Sequence, residues 1–208
     1  MKQLNFLNTS EDKCENKDAA HAQSPCPTSL ENSGCTDLQR SRVGVGVEDK
    51  SKNSEGMESI WKLYVDGASR NNPGKSGAGI YIVKDNKRFS QNGFFLGIKT
   101  NNQAEYLALI VGIFFLKKYI GKNDIVMIIS DSLLMVKQIS GHYKVKNADL
   151  LPLFKLSKKL LYGINYNIAH VLRDEKKEAD EMANLGIDKG KRLPQDFLDM
   201  LREYEIQL

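Results

Sequence analysis

The chain has 208 residues, 41% of them apolar and 27% charged, and no apolar run is long enough to span a bilayer, which excludes a membrane-embedded protein. The net charge of +4 is uneven: residues 1–58 carry seven Lys and Arg against ten Asp and Glu, whereas residues 59–208 carry 23 against 16. A basic main part is compatible with a nucleic-acid partner.

The first 58 residues are rich in Ser, Asn, Asp, Glu, Lys and Gly and show no sustained period of two or about 3.6 residues. We therefore predict a disordered acidic segment over residues 1–58. Cys14, Cys26 and Cys35 fit no zinc pattern, and their odd number argues against a disulfide framework. The N-terminus lacks the apolar core of a signal peptide, so we expect a cytoplasmic protein.

The sequence changes character at residue 59, where strands replace the polar segment. Three strands joined by short turns predict an antiparallel meander, in SIWKLYVDG, GAGIYIVKD and KRFSQNGFFLG. A helix follows in TNNQAEYLALIVGIFFLKKYIG, which Thr100 or Asn101 can cap and which we expect to end at Gly121.

The second half alternates strands and helices. The near-continuous apolar run DIVMIISDS predicts a strand covered on both faces. The remaining elements are a short helix over residues 132–139, a helix in LLPLFKLSKKLLYG, a strand in NYNIAHVLR and a helix in EKKEADEMANLGIDKG. Residues 59–190 would form one domain, and residues 191–208 a C-terminal helical extension that packs back or hangs free. The order βββαβααβα implies an α/β fold with a mixed five-stranded sheet, three antiparallel strands then two parallel, and helices on both faces.

Four carboxylates stand out in this arrangement. Asp66 follows the first strand and Asp131 the fourth, at the edge where open α/β sheets bind ligands. Glu105 lies in the first turn of the first helix, and Asp180 lies between two alanines on a later helix. Each acid alone has an ordinary role as a turn, cap or solvated residue. Four acids converging on one site would repel each other without a cation, and hard cations such as Mg²⁺ take oxygen ligands.

Four blocks of sequence span about residues 60–190 in order: YVDGASRNNPG with GAGIYI, TNNQAEYLALIVGI, ISDSLLMVKQISGHYKVKN and HVLRDEKKEADEMAN. Together they resemble the type 1 ribonucleases H, and they look most like the compact bacterial and archaeal branch that lacks a basic handle loop. Four ordered blocks are far more specific than any single one.

The resemblance implies an endonuclease that hydrolyses the RNA strand of RNA·DNA hybrids and leaves 3′-hydroxyl and 5′-phosphate ends. It implies metal-binding carboxylates at Asp66, Glu105, Asp131 and Asp180, with Asp66 bridging two Mg²⁺ ions for which Mn²⁺ can substitute. One ion would activate a water, and the other would stabilise the leaving oxygen. The implied partner is the hybrid duplex, and we expect a monomer without a membrane partner.

The resemblance also implies substrate contacts, each with an ordinary alternative. The 2′-hydroxyl marks RNA, and Asn102, Glu105 and the backbone near Gly67 would contact it. Asn72 and Thr100 match positions that hold a phosphate of the DNA strand, with a turn residue and a helix cap as the alternatives. The full expected set is Gly67, Asn72, Thr100, Asn101, Asn102, Gln138, Lys144 and Lys146, with packing the alternative for Gln138 and a solvated surface for the two lysines.

Arg173 is the further catalytic residue that the resemblance implies. In the compact branch an arginine at this position looks like the substitute for a mobile histidine of the handle-bearing relatives, and a guanidinium suits phosphate contact. His170 is interpreted as structural. The chain departs from the family at Leu172, where proline is usual, and at Lys176, where asparagine is usual.

Two alternatives to a hybrid-cutting enzyme stay open. The first is a hybrid-binding module with weak or no catalysis on the same fold, although a pure binder gains nothing from four clustered acids facing a phosphate backbone. The second is another nuclease of the wider superfamily, against which the DGASRNNPG turn and the NNQAEY helix start argue.

Overall fold

The structure is a computed structural model, and it describes residues 58–172 and 177–208. The predicted disordered segment therefore lies outside the described residues, except for Glu58, and so do Arg173 and Lys176. The described residues belong to one compact unit. No helix in the described ranges is long and apolar enough to cross a membrane.

A five-stranded sheet forms the centre of the domain, in the order β3-β2-β1-β4-β5. Strands β1 to β3 are an antiparallel meander, and β4 and β5 run parallel to β1. The predicted fold class is confirmed. The strands are β1 (Ile60–Asn71), β2 (Gly74–Lys84), β3 (Lys87–Lys99), β4 (Ile125–Ser130) and β5 (Asn165–His170).

Five helices flank the sheet in the described ranges: α1 (Asn101–Leu116), α2 (Leu133–Ile139), α3 (Leu151–Leu161), α4 (Lys177–Lys189) and α5 (Gln195–Glu203). Helix α1 lies on the face of β1 that carries Leu63 and Val65. Gly112 of this helix lies directly against both side chains. Helix α4 covers the opposite face, where its backbone at Ala179 lies directly against Gly79. A Cβ at Gly79 would come within 1.9 Å of the Ala179 carbonyl oxygen, so only glycine allows this close packing.

The C-terminal helix α5 belongs to the same hydrophobic core as α1. Phe197 and Leu201 are fully buried, and the Phe197 ring packs edge-on against Phe114 with centroids 5.2 Å apart. Of the two arrangements considered for residues 191–208, the structure has the one in which the helix packs back.

Two element boundaries differ from the prediction. Strand β1 does not stop at Asp66 but continues to Asn71, because its pairing with β2 extends to Asn71 and Gly74. Helix α1 ends at Leu116 instead of Gly121, and Tyr119 turns outward to pack against Phe89. The first difference changes the position of the site, because Asp66 lies inside a strand.

Candidate active site

The site lies where β1 and β4 part. Their parallel pairing ends with Tyr64 and Ile129, while β1 continues beside β2 alone. Asp66 lies two residues after Tyr64 on β1. Asp131 lies two residues after Ile129 and directly follows the end of β4. Because both strands run in the same direction, the two carboxylates reach the same edge of the sheet.

Glu105 is held against this edge by the first turn of α1. Thr100 is the N-cap, and its hydroxyl accepts a hydrogen bond from the Gln103 backbone while the Gln103 side chain accepts from the Thr100 backbone. The Gly67 N–H donates to Glu105 Oε2 at 3.1 Å. A Cβ at Gly67 would lie 2.1 Å from the Glu105 nitrogen, so glycine is needed for the helix to approach.

Three carboxylates meet as a result. Asp66, Glu105 and Asp131 each offer a carboxylate oxygen, and these oxygens lie within 4.8 Å of one another. Asp66 and Glu105 are only 5% exposed. An all-carboxylate oxygen set at this spacing fits a hard divalent cation such as Mg²⁺, so these three side chains could hold a metal ion.

Asp180 is not part of this three-carboxylate cluster. It lies in the first turn of α4, is exposed, and accepts a hydrogen bond from Asn184 Nδ2 at 3.3 Å. Its neighbour Ala179 packs against Gly79, which is the partner of Asp66 in the register of β1 and β2. Helix α4 thus brings Asp180 to the Asp66 face of the sheet without adding it to the cluster.

A cleft of about 230 Å³ adjoins the cluster. Asn101, Glu105, Asp131, Ser132 and His170 contribute to its walls. The sequence favoured a structural role for His170 and did not predict that it lines this cleft. The signal lies in the register, since His170 ends β5 opposite Ser130, the residue before Asp131.

A second cleft, of about 190 Å³, lies on the other side of the α1 N-terminus. Asn72, Thr100 and Asn102 help to line it. Asn72 Oδ1 accepts from the Asn101 backbone at 3.0 Å, which ties the β1–β2 turn to the helix start. The residues expected to contact substrate around the start of α1 therefore line two different clefts, with Asn101 and Glu105 in the first and Asn72, Thr100 and Asn102 in the second.

The remaining expected residues lie elsewhere. Gln138 is buried and accepts a hydrogen bond from the Tyr106 hydroxyl at 2.7 Å, which favours its packing role over substrate contact. Burial raises the pKa of Tyr106 well above its usual range, so the hydroxyl keeps its proton and donates. Lys144 and Lys146 are exposed on the loop between α2 and α3.

The comparisons with known proteins agree with this geometry. The family model for RNase H matches residues 58–188. Ribonuclease HI of Halobacterium salinarum is 37% identical over 127 residues, which cover 60% of this chain and 63% of that protein. A bifunctional protein of Mycobacterium tuberculosis is 36% identical over 131 residues, 61% of this chain and 35% of that one. The chain thus spans less than two thirds of the length of these curated relatives.

Solved structures show the same likeness. The crystal structure of RNase H1 from Halobacterium salinarum superposes with a TM-score of 0.59 at 33% identity and covers 62% of this chain and 98% of that one. LC11-RNase H1, solved in complex with an RNA/DNA hybrid, superposes with a TM-score of 0.59 at 33% identity. The match covers 62% of this chain and 97% of that one. Both neighbours are covered almost completely, so the described domain corresponds to a whole domain in each.

Proposed function

This chain belongs to the RNase H family, and from that premise we propose that it is an endoribonuclease that hydrolyses the RNA strand of RNA·DNA hybrids. The observation that carries the proposal is the cluster of Asp66, Glu105 and Asp131 at the point where β1 and β4 part. The hybrid bound by LC11-RNase H1, which is 33% identical to this chain, supports the same substrate class here.

The cluster would hold divalent metal ions, which we propose to be two Mg²⁺ ions with Mn²⁺ as a substitute. Asp66, Glu105, Asp131 and Asp180 would be the ligands that hold them. Bound there, such ions supply an activated water and charge stabilisation of the leaving oxygen. The protein contributes fixed ligand positions, because the Gly67 N–H orients the Glu105 carboxylate before any ligand arrives.

Residues on both sides of the α1 N-terminus would bind the hybrid. We propose that Asn102, Glu105 and the backbone at Gly67 contact the 2′-hydroxyl, and that Asn72 and Thr100 hold a phosphate of the DNA strand. Asn101 lines the cleft next to Glu105 and Asp131, which supports a contact near the scissile bond. Lys144 and Lys146 would contact the hybrid backbone, and Arg173 the scissile phosphate. Such charge contacts would make hybrid binding weaken as salt increases.

One observation favours the alternative of a hybrid-binding module with weak catalysis. Asp180 is not among the three carboxylates that meet, and it is bonded to Asn184 instead. The activity assay decides between the two functions. The cytoplasmic location and the monomeric state expected from the sequence stay predictions.

The test is cleavage of an RNA·DNA hybrid carrying a labelled RNA strand, in MgCl₂ with and without EDTA. The full chain should cut the RNA strand only with metal, and Asp66→Asn should reduce the rate at least about 100-fold. Asp199→Asn, a surface carboxylate on α5 paired with Arg202, is the matched control and should retain the full rate. Binding of the hybrid without cleavage in either Mg²⁺ or Mn²⁺ would instead establish the binding module, and cleavage of double-stranded DNA would indicate another nuclease.

A further inference from the structure

Three aromatic rings form a ladder at the end of β1 that is opposite the carboxylate cluster. Trp61 and Phe89 pack edge-on with centroids 5.0 Å apart, and Phe89 and Tyr119 do so at 4.9 Å. Exposure increases along the ladder, from 1% at Trp61 to 42% at Phe89 and 56% at Tyr119. The ladder therefore begins in the core and ends in two rings that face solvent.

A β-bulge directs Phe89 into this ladder. Ile82 pairs with Ser90 and Val83 pairs with Arg88, so Phe89 is the extra residue on β3 with no partner position on β2. A bulge of this kind re-aims a side chain that regular pairing would hold elsewhere. The exposed ring is thus positioned by the backbone and by contacts on both sides, with Trp61 below it and Tyr119 above it.

Four cationic residues lie near the three rings in space or along the chain. Lys84 Nζ lies 5.0 Å from the centre of the Trp61 ring. Lys87 and Arg88 follow on the same hairpin, and Lys122 lies on the α1–β4 loop that carries Tyr119. Among the described residues, no ion pair involves any of these four side chains.

The nearby acids are already engaged by N–H donors. Asp85 Oδ1 accepts from the Ile60 backbone at 2.9 Å. Asp124 accepts from Trp61 Nε1 at 2.8 Å and also from two backbone N–H groups. Lys87, Arg88 and Lys122 are exposed, and Lys84 is half-buried with its charge near Asp124. The four cations outnumber the two acids, which leaves this surface with a positive balance that is complementary to a phosphate backbone.

We propose that this aromatic–basic platform, formed by Phe89, Tyr119, Lys84, Lys87, Arg88 and Lys122, binds single-stranded nucleic acid. Bases would stack on Tyr119 and Phe89, and the four cations would contact the phosphates, which is the combination of stacking and charge that binds single strands without sequence preference. The platform is distinct from the catalytic cleft, since the five residue steps from Trp61 to Asp66 on β1 span roughly 17 Å.

The test is the fluorescence anisotropy of labelled dT12 and rU12 with the full chain in EDTA. Wild type should bind both strands, and Tyr119→Ser should raise the dissociation constant at least about tenfold, since stacking of one base is commonly worth that much. Tyr162→Ser is the matched control, because Tyr162 is 86% exposed at the end of α3 and belongs to no part of the platform. Lys87→Glu combined with Arg88→Glu should lower the salt dependence of binding.

The readouts separate this proposal from the proposed nuclease activity. Tyr119→Ser should leave cleavage of a short blunt hybrid unchanged, and a chain that fails to cleave hybrids can still bind dT12 at the platform. The proposal is overturned if wild type does not bind dT12, or if Tyr119→Ser and Tyr162→Ser bind it equally well. It is also overturned if sedimentation shows a dimer that Tyr119→Ser dissociates, because the platform would then be a contact between two copies.

Discussion

Buried or half-buried carboxylates lie near β1 in two opposite settings, one towards its C-terminal half and one beside its N-terminal end. Asp66 and Glu105 lie beside a third carboxylate, with oxygens within 4.8 Å, so like charges crowd together. At the other end Asp124 accepts hydrogen bonds from the Trp61 indole, the Ser59 backbone and the Gly121 backbone. We therefore expect the clustered acids to serve metal binding at a cost in stability, and Asp124, with its three N–H donors, to stabilise the fold.

The pKa of Asp124 reflects its setting. Burial alone would raise this pKa, but the three N–H donors and the nearby charge of Lys84 hold it below the usual 3.8. The carboxylate is therefore charged in the folded protein throughout the neutral range. Variants at the two sites test this contrast, and the largest effect is expected at the carboxylate cluster.

Glu105→Gln should separate activity from stability at the carboxylate cluster. Gln keeps an oxygen that can accept from the Gly67 N–H, but it removes one of the three charges. We expect the rate of hybrid hydrolysis to fall at least about 100-fold, while the Tm in EDTA stays equal or rises because repulsion is relieved. Initial rates and thermal unfolding of the same preparation test this. A Tm several degrees lower in EDTA would show that Glu105 stabilises the fold.

Gly67→Ala should damage both the fold and the site. The added Cβ would lie 2.1 Å from the Glu105 nitrogen and 2.2 Å from the Ala104 carbonyl carbon, so α1 must move. We expect the free energy of unfolding to drop by about 3 kcal/mol, with loss of hydrolysis, in urea titrations followed by circular dichroism. Gly121→Ala is the control, because its Cβ would meet nothing closer than 3.6 Å. Equal stability of the two variants would refute the close-packing argument.

Asp124→Asn should lower stability without affecting chemistry. Both carboxylate oxygens accept N–H hydrogen bonds, and an amide NH₂ in place of one oxygen would face a donor. We expect a loss of about 1–2 kcal/mol in the free energy of unfolding and an unchanged rate of hydrolysis per folded molecule. Urea unfolding followed by emission from Trp61, the one tryptophan of the chain, measures the first quantity. A lowered rate with unchanged stability would reverse the assignment of the two ends.

The smallest expected effect is the pH dependence of the stability difference between wild type and Asp124→Asn. The folded pKa of Asp124 is lowered, so its stabilisation is present above the unfolded value of 3.8 and is lost as the pH falls through the folded pKa. The stability gap between wild type and Asp124→Asn should therefore be constant from pH 7 to pH 5 and shrink towards pH 3. Urea titrations at these three pH values provide the check, and a gap that widens in acid would contradict it.

The sequence predicted the sheet because strands depend on local patterns, and alternating and continuous apolar runs located all five of them. It also named the three acids that the fold brings together, including Asp131 after the VMIIS run, whereas their role stays a prediction. The predicted end of β1 was wrong because Asp66 and the glycine after it resemble the end of a strand. Pairing with β2 extends the strand five residues further, to Asn71. Pairing between distant segments is a tertiary property that local pattern does not reveal.

Side-chain destinations were harder to predict than element types. Gln138 lies in a motif that implied substrate contact, yet its side chain accepts a hydrogen bond from the Tyr106 hydroxyl in the core. This contact joins α1 and α2, which are distant in the sequence. The Phe89 bulge gave no signal, since one extra residue in a strand leaves the composition unchanged. Asp180 was expected among the other acids, and its distance from them depends on how α4 packs on glycines of the sheet.

The strand order also has a consequence for biosynthesis. β1 is the first strand of the described domain to be made and is central in the sheet, but its second neighbour β4 begins only at Ile125, after the whole meander and α1. A nascent chain that has exposed β1 to β3 can pair them at once, yet it leaves one side of β1 as an open edge of the kind that promotes aggregation. Asp131 is made directly after β4, so the strand that covers this edge of β1 and the last acid of the three-carboxylate cluster are synthesised together, before β5 completes the sheet.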